Sequence, residues 1–238
     1  MPSVSVIIPC YQDEAELARL LNQLHKLQNH PLEIIVVDGA DSKKCREICN
    51  QYHVLWLSSE PCRGQQLLAG AALAQGDVLW FLHADARLPA DPLPAITAAF
   101  EQGAAVGGYF RFRFDAPRTW STLVLEFAIA LRCRFGGVPY GDQGLFISRQ
   151  TYIQVGGHAP WPLFEEVPLV RGARCMGKFL SLREPIFVDS RRWQRDGWWQ
   201  CTWNNRKLAL GFACGVTPHD LALLYHSRNI SKITKTHL

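Results

Sequence analysis

The chain has 238 residues, 48% of them hydrophobic and 19% charged, with a formal net charge of +4. That composition excludes a disordered chain, supports one sizeable core, and leaves a mild positive balance suited to acidic ligands such as phosphates. Its eight cysteines form no CxxC pair and no zinc-finger spacing, and no run of 18 apolar residues occurs, so reduced thiols in a cytoplasmic protein without a transmembrane segment are expected.

The N-terminal SVSVIIP (3–9) reads as a buried strand, and the apolar stretch around it is too short for a signal peptide. Over 13–28 the spacing of Leu17, Leu20, Leu21, Leu24 and Leu27 predicts a helix with one apolar face. LEIIVVD (32–38) predicts a second strand, 42–51 a helix, and VLWLSS (54–59) a third strand. A helix over 63–76 ended by Gly76, a strand over 77–85 and a helix over 91–102 complete the first half. Strand–helix alternation with nearly continuous apolar strands predicts an α/β fold whose parallel sheet is covered on both faces.

After residue 103 the pattern changes. A strand is expected over 104–115, a helix over 118–134, and a strand, short helix and turn over 141–157. A helix over 165–176 and one or two strands over 179–189 follow. Thr217 as N-cap, Pro218 at the first helical position and Asp220 three after the cap predict a last helix. The chain divides into a first half, 1–103, and a second half, 104–238, of one domain.

Ligands of such sheets sit beyond the carboxyl ends of the strands. Tyr11 to Asp13, Asp38, and His83 with Asp85 fall at three such ends, so they are expected to share a crevice. A carboxylate closing an apolar strand is costly to bury without a purpose. Asp85 is therefore the candidate metal ligand, and His83, two residues earlier, is expected on the same side of the strand. Asp38 suits a ribose or base, although an Asx turn before Gly39 explains it equally well. Glu165 and Glu166 open a helix; one of them can take a proton from an acceptor, since neighbouring like charge and burial raise a carboxyl pKa. Residues 191–207 carry five basic side chains against one acid, Asp196, interleaved with tryptophans. Arg forks and Trp faces suit diphosphate and sugar, but also a membrane surface or stacked bases. Arg191 and Arg192, with no acids expected beside them, should repel each other until a diphosphate arrives.

Taken together, SVIIPCYQDEAEL, IIVVDGADS, RGQQLLAGAALAQGDVLWFLHADARLP and FEEVPLVRGARCMGK resemble, in order and spacing, the motifs of family 2 glycosyltransferases of the GT-A fold. HAD at 83–85, GDQG at 141–144 and SRRW at 190–193 are similar to a bacterial subgroup, some of whose members are labelled arsenosugar-biosynthesis glycosyltransferases. The resemblance covers nearly the whole chain. It implies a GT-A, Rossmann-like, mainly parallel sheet with helices on both faces, and a nucleotide-sugar donor, with a UDP-sugar favoured. By the same resemblance Pro9, Tyr11, Asp13 and Asp38 hold the nucleoside, and Arg63 and Gln66 lie near the donor. Asp85, with His83, holds Mn²⁺ or Mg²⁺. Asp142 and Gln143 touch the sugar or the small acceptor, Arg191, Arg192 and Trp193 close on the diphosphate, and Glu166, preceded by Glu165, is the catalytic base. Three departures stand out: His83 replaces an acid of the common metal motif, Glu166 replaces an Asp, and ADSKK (40–44), after Asp38 and Gly39, stands where Gly-Ser-Thr-Asp is usual.

The expected activity is an inverting transfer of sugar to a hydroxyl. A catalytically degenerate nucleotide-sugar-binding protein is the alternative. A dinucleotide oxidoreductase is set aside because no G-x-G-x-x-G follows the first strand, and a nucleic-acid partner because the charge is mild and no known module is present. Peripheral membrane contact through the Trp/Arg segment stays open, and oligomeric state has no signal in the sequence.

Overall fold

The structure, a computed structural model, describes residues 1–88, 90–101, 103 and 105–233, with side chains to residue 225. In chain order the elements are β1 (Val4–Cys10), α1 (Glu14–His25), β2 (Glu33–Asp38), α2 (Lys43–Gln51), β3 (Leu55–Ser58), α3 (Arg63–Leu73), β4 (Val78–Phe81) and α4 (Leu93–Glu101). Then come β5 (Ala105–Asp115), α5 (Trp120–Arg134), a 3-10 turn (Gly141–Gln143), β6 (Phe146–Ser148), α6 (Arg149–Val155) and α7 (Glu166–Met176). β7 (Lys178–Asp189), α8 (Arg191–Asp196), α9 (Trp198–Ala213) and α10 (Pro218–Ile233) finish the chain. The expected helix end at 102 and strand start at 104 lie outside the described residues.

The strands form one seven-stranded sheet in the order β3-β2-β1-β4-β6-β5-β7. β1 pairs in parallel with β2 and β4, β2 with β3, and β5 with β7; β6 runs antiparallel to both β4 and β5. This is the mixed, mainly parallel sheet expected. Alternation along β1 builds both cores. Val6 and Ile8 pack with Leu17, Leu20, Leu21 and Leu24 of α1, Cys45 and Cys49 of α2 and Ile96 of α4. Ile7 faces the other way, with Leu67 and Ala71 of α3, Tyr152 of α6, and Leu169 and Val170 of α7.

Two boundaries differ from expectation in ways that matter for the site. The third helix stops at Leu73, where Ala74 turns to extended backbone. Strand β4 ends at Phe81, so His83 and Asp85 do not share a strand face. They sit in a tight turn closed by the Ala86 amide donating to the His83 carbonyl at 3.0 Å. A turn sends neighbouring side chains in different directions, where a strand would have aligned them. The last helix does start as expected: the Thr217 hydroxyl accepts from the Asp220 amide at 3.2 Å and donates to its carboxylate at 2.7 Å.

The first turn of α3 meets the loop before α7 at very short range. The Gly64 amide donates to the Trp161 carbonyl at 3.0 Å. A Cβ on Gly64 would fall 2.0 Å from the Ala159 carbonyl oxygen and 2.6 Å from the Trp161 nitrogen, both backbone atoms. Only glycine lets the two segments touch. Gly64→Ala should therefore cost about 1–3 kcal/mol of stability by overpacking. A urea midpoint equal to wild type would show that the loop moves aside freely.

Candidate active site

Two groups of polar side chains meet beyond the carboxyl ends of β1 and β4. The first surrounds Glu165 and Glu166. Phe164, just before them, adopts φ +62, a conformation rare for a bulky side chain. It is held there by stacking on Phe212 of α9, centroids 4.7 Å apart, and by packing with Val167, Leu208 and Leu221. The backbone thus turns both acids inward, and both are buried.

Their surroundings give them opposite character. Arg63, at the start of α3, donates from Nε and Nη2 to the two carboxylate oxygens of Glu165, the latter at 3.0 Å. Burial pushes the Glu165 carboxyl up, but the charge and hydrogen bonds of Arg63 outweigh it and hold it below the ordinary carboxylate range. Glu166 has no such partner. Burial, then the charge of Glu165, raise its carboxyl well above the ordinary value, and its Oε2 is buried with no hydrogen bond. One carboxylate is an ion-pair anchor, and the other has raised proton affinity and a free oxygen.

His83 and Asp142 complete this group. Burial, reinforced by the charge of Arg63, lowers His83 to about 4, so its ring is neutral at neutral pH. Its Nε2 is buried without a partner and lies 2.9 Å from where a Cβ on Gly141 would be, so Gly141 lets the 3-10 turn close over the ring. Burial raises Asp142, against the pull of His83, Arg132 and Arg63.

The second group is acidic. Asp13 follows β1, Asp85 follows β4, and Asp189 ends β7. Burial, then the charge of Asp85, push Asp13 up to about 6. Burial, then the charge of Asp189, raise Asp85. Gln12, next to Asp13, has φ +53, so this loop too is held in an uncommon backbone conformation. Arg191 stands among these acids: its Nε donates to Asp189 at 2.5 Å, its Nη2 lies 3.8 Å from Asp13 and its Nη1 3.8 Å from Glu16. The expectation that Arg191 lacks neighbouring acids fails, because β7 and α1 bring Asp189 and Glu16 to it.

The remaining expected residues have structural surroundings. Both Asp38 oxygens accept local amides, from Ala40 at 2.9 Å and Ser42 at 2.7 Å, so this carboxylate shapes its own loop. Gln66 Nε2 donates to the carbonyls of Cys10 and Val37, both at 2.8 Å, tying the ends of β1 and β2 together. Pro9 is buried within β1, whereas Tyr11 is exposed at the crevice rim. Gln143 is buried with the Phe110 carbonyl and the Cys133 thiol as partners. Arg192 donates to the Tyr225 hydroxyl and to Asn205 Oδ1, the latter at 2.9 Å, and Trp193 packs edge-on against Phe114 at 5.1 Å. Both turn towards the protein. Asp189 was missed by the sequence reading, although an acid ending an apolar strand was the signal used for Asp38 and Asp85.

His83 and Asp85 face different groups, the first towards Arg63, Asp142 and Glu165, the second towards Asp13, Asp189 and Arg191. Among the described residues no three His, Cys, Asp or Glu side chains converge as a closed metal site. A pair of carboxylates short of neutralising charge is nonetheless the donor chemistry of a Mg²⁺ or Mn²⁺ ion that takes its other oxygens from water and substrate phosphates.

The fold that carries these residues has counterparts among solved structures. The fold is that of the GT-A glycosyltransferases. A glucosyl-3-phosphoglycerate synthase from Mycobacterium tuberculosis, in complex with Mn²⁺, UDP and glucosyl-3-phosphoglycerate, superposes with TM-score 0.63 and 15% identity over 91% of this chain and 81% of that one. A mannosyltransferase from Pyrobaculum calidifontis, in complex with GDP-Man and Mn²⁺, gives 0.61 and 17% over 87% and 61%. Residues 5–156 match the family described as Glycosyl transferase family 2, and the chain belongs to that family. It is a family 2 glycosyltransferase. Among curated relatives, an undecaprenyl-phosphate 4-deoxy-4-formamido-L-arabinose transferase from Pseudomonas savastanoi pv. phaseolicola is 29% identical over 157 residues, 60% of this chain and 46% of the relative. The namesake from Proteus mirabilis is 33% identical over 116 residues, 44% and 36% respectively. The chain thus spans less than half the length of these relatives.

The acidic group has a measurable consequence. A carboxyl raised from 3.8 to about 6 on folding loses stability as pH rises through that window, because the unfolded state releases the proton first. Asp13→Asn should therefore raise the Tm of the ligand-free protein by a few degrees above about pH 6 and leave it unchanged below about pH 4. A Tm difference independent of pH would show that Asp13 is not under this electrostatic load.

Proposed function

We propose that this chain is an inverting glycosyltransferase that moves a sugar from a nucleotide-sugar donor, with a UDP-sugar favoured, to a hydroxyl of a small acceptor. The observation that carries the reading is Glu166: a buried carboxyl with raised proton affinity and an unpartnered oxygen, beside a carboxylate that Arg63 holds ionised. A phosphate acceptor, such as the undecaprenyl phosphate in the relatives' names, is largely ionised at neutral pH and needs no base. A hydroxyl does need one.

In this reading the acceptor O–H proton passes to Glu166 Oε2. The freed oxygen forms its bond to the anomeric carbon as the bond from that carbon to the diphosphate oxygen breaks on the opposite face. One displacement inverts the anomeric configuration. Neutral His83, with its unpartnered Nε2, orients the acceptor or the sugar. Asp85 and Asp189, with Asp13 nearby, would hold Mn²⁺ or Mg²⁺, which when bound supplies positive charge for the departing diphosphate. Arg191 adds a guanidinium from the same wall. The Mn²⁺ named with two solved relatives supports a divalent ion without choosing between the two metals. Among the described residues no helix is long and apolar enough to cross a membrane. A cytoplasmic site of action is supported by the eight free thiols.

Two substitutions separate the roles of the adjacent acids. Glu166→Gln should keep UDP affinity by calorimetry and lose roughly 10²–10⁴-fold in transfer rate. Glu165→Gln should instead cost about 3 kcal/mol in urea unfolding, the lower end for a broken buried pair because Arg63 keeps 31% of its side chain exposed. If Glu165→Gln is stable and slow while Glu166→Gln turns over normally, the roles are reversed. If the wild type hydrolyses or transfers no nucleotide-sugar with Mn²⁺, the chain is a degenerate binding protein. Asp85→Ala should remove the Mn²⁺ dependence of UDP binding with the melting transition retained; an unchanged dependence would move the ion elsewhere.

A further inference from the structure

Helix α5 is apolar around nearly its whole circumference, WSTLVLEFAIALRCR, a pattern that belongs to a helix covered on all sides. Only its inner side is covered. Leu125 and Cys133 are buried, while Trp120 is 77% exposed and Phe127 67%, with Leu123 and Leu131 exposed on the same stripe. Trp120, Leu123, Phe127, Leu131 and Arg134 recur at helical spacing, so the exposed residues form one line. Beside it, α9 carries a second line at the same spacing: Trp199, 58% exposed, Trp203, 56% exposed, Arg206 and Leu210. A groove of about 440 Å³ runs between them, lined by Val124, Leu125 and Ala128 of α5 and Trp199, Trp203 and Arg206 of α9.

Charge distinguishes among occupants. The single acid of α5, Glu126, is turned inward to the Phe114 amide at 3.1 Å, and α9 has no acid. Exposed Arg134, Arg206 and Lys207 flank the apolar lines, with Lys207 5.7 Å above the Trp203 ring. Protein–protein interfaces also take up Trp and Arg but deplete lysine, and Lys207 stands on this face. Tryptophans bordered by arginine and lysine, with acids absent, match the headgroup layer of an anionic bilayer. The surface also leads to the site: Arg132 of α5 lies 4.2 Å from the centroid of the Tyr140 ring, and the 3-10 turn bearing Asp142 begins at the next residue.

We propose that the α5–α9 face is a peripheral membrane-docking surface for anionic phospholipid, independent of the donor chemistry. The test is co-sedimentation of the full chain with vesicles of phosphatidylcholine alone and with about one-third phosphatidylglycerol. At low salt the anionic vesicles should bind at least about tenfold better, and salt of about 0.5 M should erase most of the difference. Trp199→Ser with Trp203→Ser, and separately Arg206→Glu with Lys207→Glu, should each lower the partition about tenfold or more while calorimetric UDP–Mn²⁺ affinity stays as in wild type. Should a variant melt early, quenching of wild-type tryptophan emission by brominated anionic lipid replaces it, and quenching is expected. Equal binding to both vesicle types, variants that bind as wild type, or no quenching overturns the proposal. So does sedimentation velocity showing a dimer that both variants dissociate without any vesicle binding, which would assign the face to a second copy of the chain.

Discussion

The buried ion pair between Arg63 and Glu165 is the constraint on which the candidate site depends. It joins the first turn of α3 to the residue before α7, elements separated by about a hundred positions in the chain. Gly64 makes the approach possible, Phe164 in its left-handed conformation aims the acid, and α9 holds Phe164 in place. A charge pair removed from water is a poor source of net stability, because desolvation offsets most of the attraction. Its value here is positional and electrostatic. It fixes one carboxylate so that the next residue can stand without a partner, and it supplies a fixed negative charge that raises the proton affinity of that neighbour. Two adjacent residues of the same type acquire different chemistry because only one of them has an arginine.

The acidic group at the other side of the crevice follows a different rule. Asp13, Asp85 and Asp189 belong to three separate strand ends and meet because β1 and β4 are parallel neighbours while β7 bridges back through the Arg87 to Phe187 contact. Burial, then the charge of Asp85, raises Asp13, and burial, then the charge of Asp189, raises Asp85, with Arg191 the opposing charge in the ligand-free protein. On the proposed reading, a cation and a diphosphate would bring the charge balance that this cluster lacks. The two groups touch electrostatically at Asp142, which feels both His83 and Asp85.

Much of this was legible in the sequence, and the limits have physical causes. The strands and the first helices were readable because periodicity reports burial directly, and the acids at strand ends because a carboxylate there contradicts its apolar surroundings. The chemical difference between Glu165 and Glu166 was readable only as motif order, since the partner that creates it lies in another helix. The placement of His83 beside Asp85 on one strand face was not correct, because periodicity does not mark where an apolar run stops being a strand: Leu82 is buried and apolar yet already past the end of β4. Asp189 was obscured by the Arg-rich stretch that follows it. Asp38 and Gln66 show the converse. Their residue types suit a ligand, yet their hydrogen bonds close loops and strand ends of the protein itself, and no sequence pattern separates the two uses.

The segment after β7 shows how a compositional signal divides once the chain folds. Its arginines and tryptophans look alike in sequence, but α8 and α9 send them to different surroundings. Arg191 turns to the acids of the crevice, Arg192 and Trp193 turn inward to Tyr225, Asn205 and Phe114, and Trp199, Trp203 and Arg206 turn outward along the groove with α5. The inward residues lie between the other two sets in the chain. Arg192 is stacked over Trp193 at 4.7 Å and is hydrogen-bonded to Asn205, which lies on α9 between the outward-facing Trp203 and Arg206. Arg192 and Trp193 therefore pack between the crevice and the outer face of α9, and one run of similar residues ends in three different surroundings.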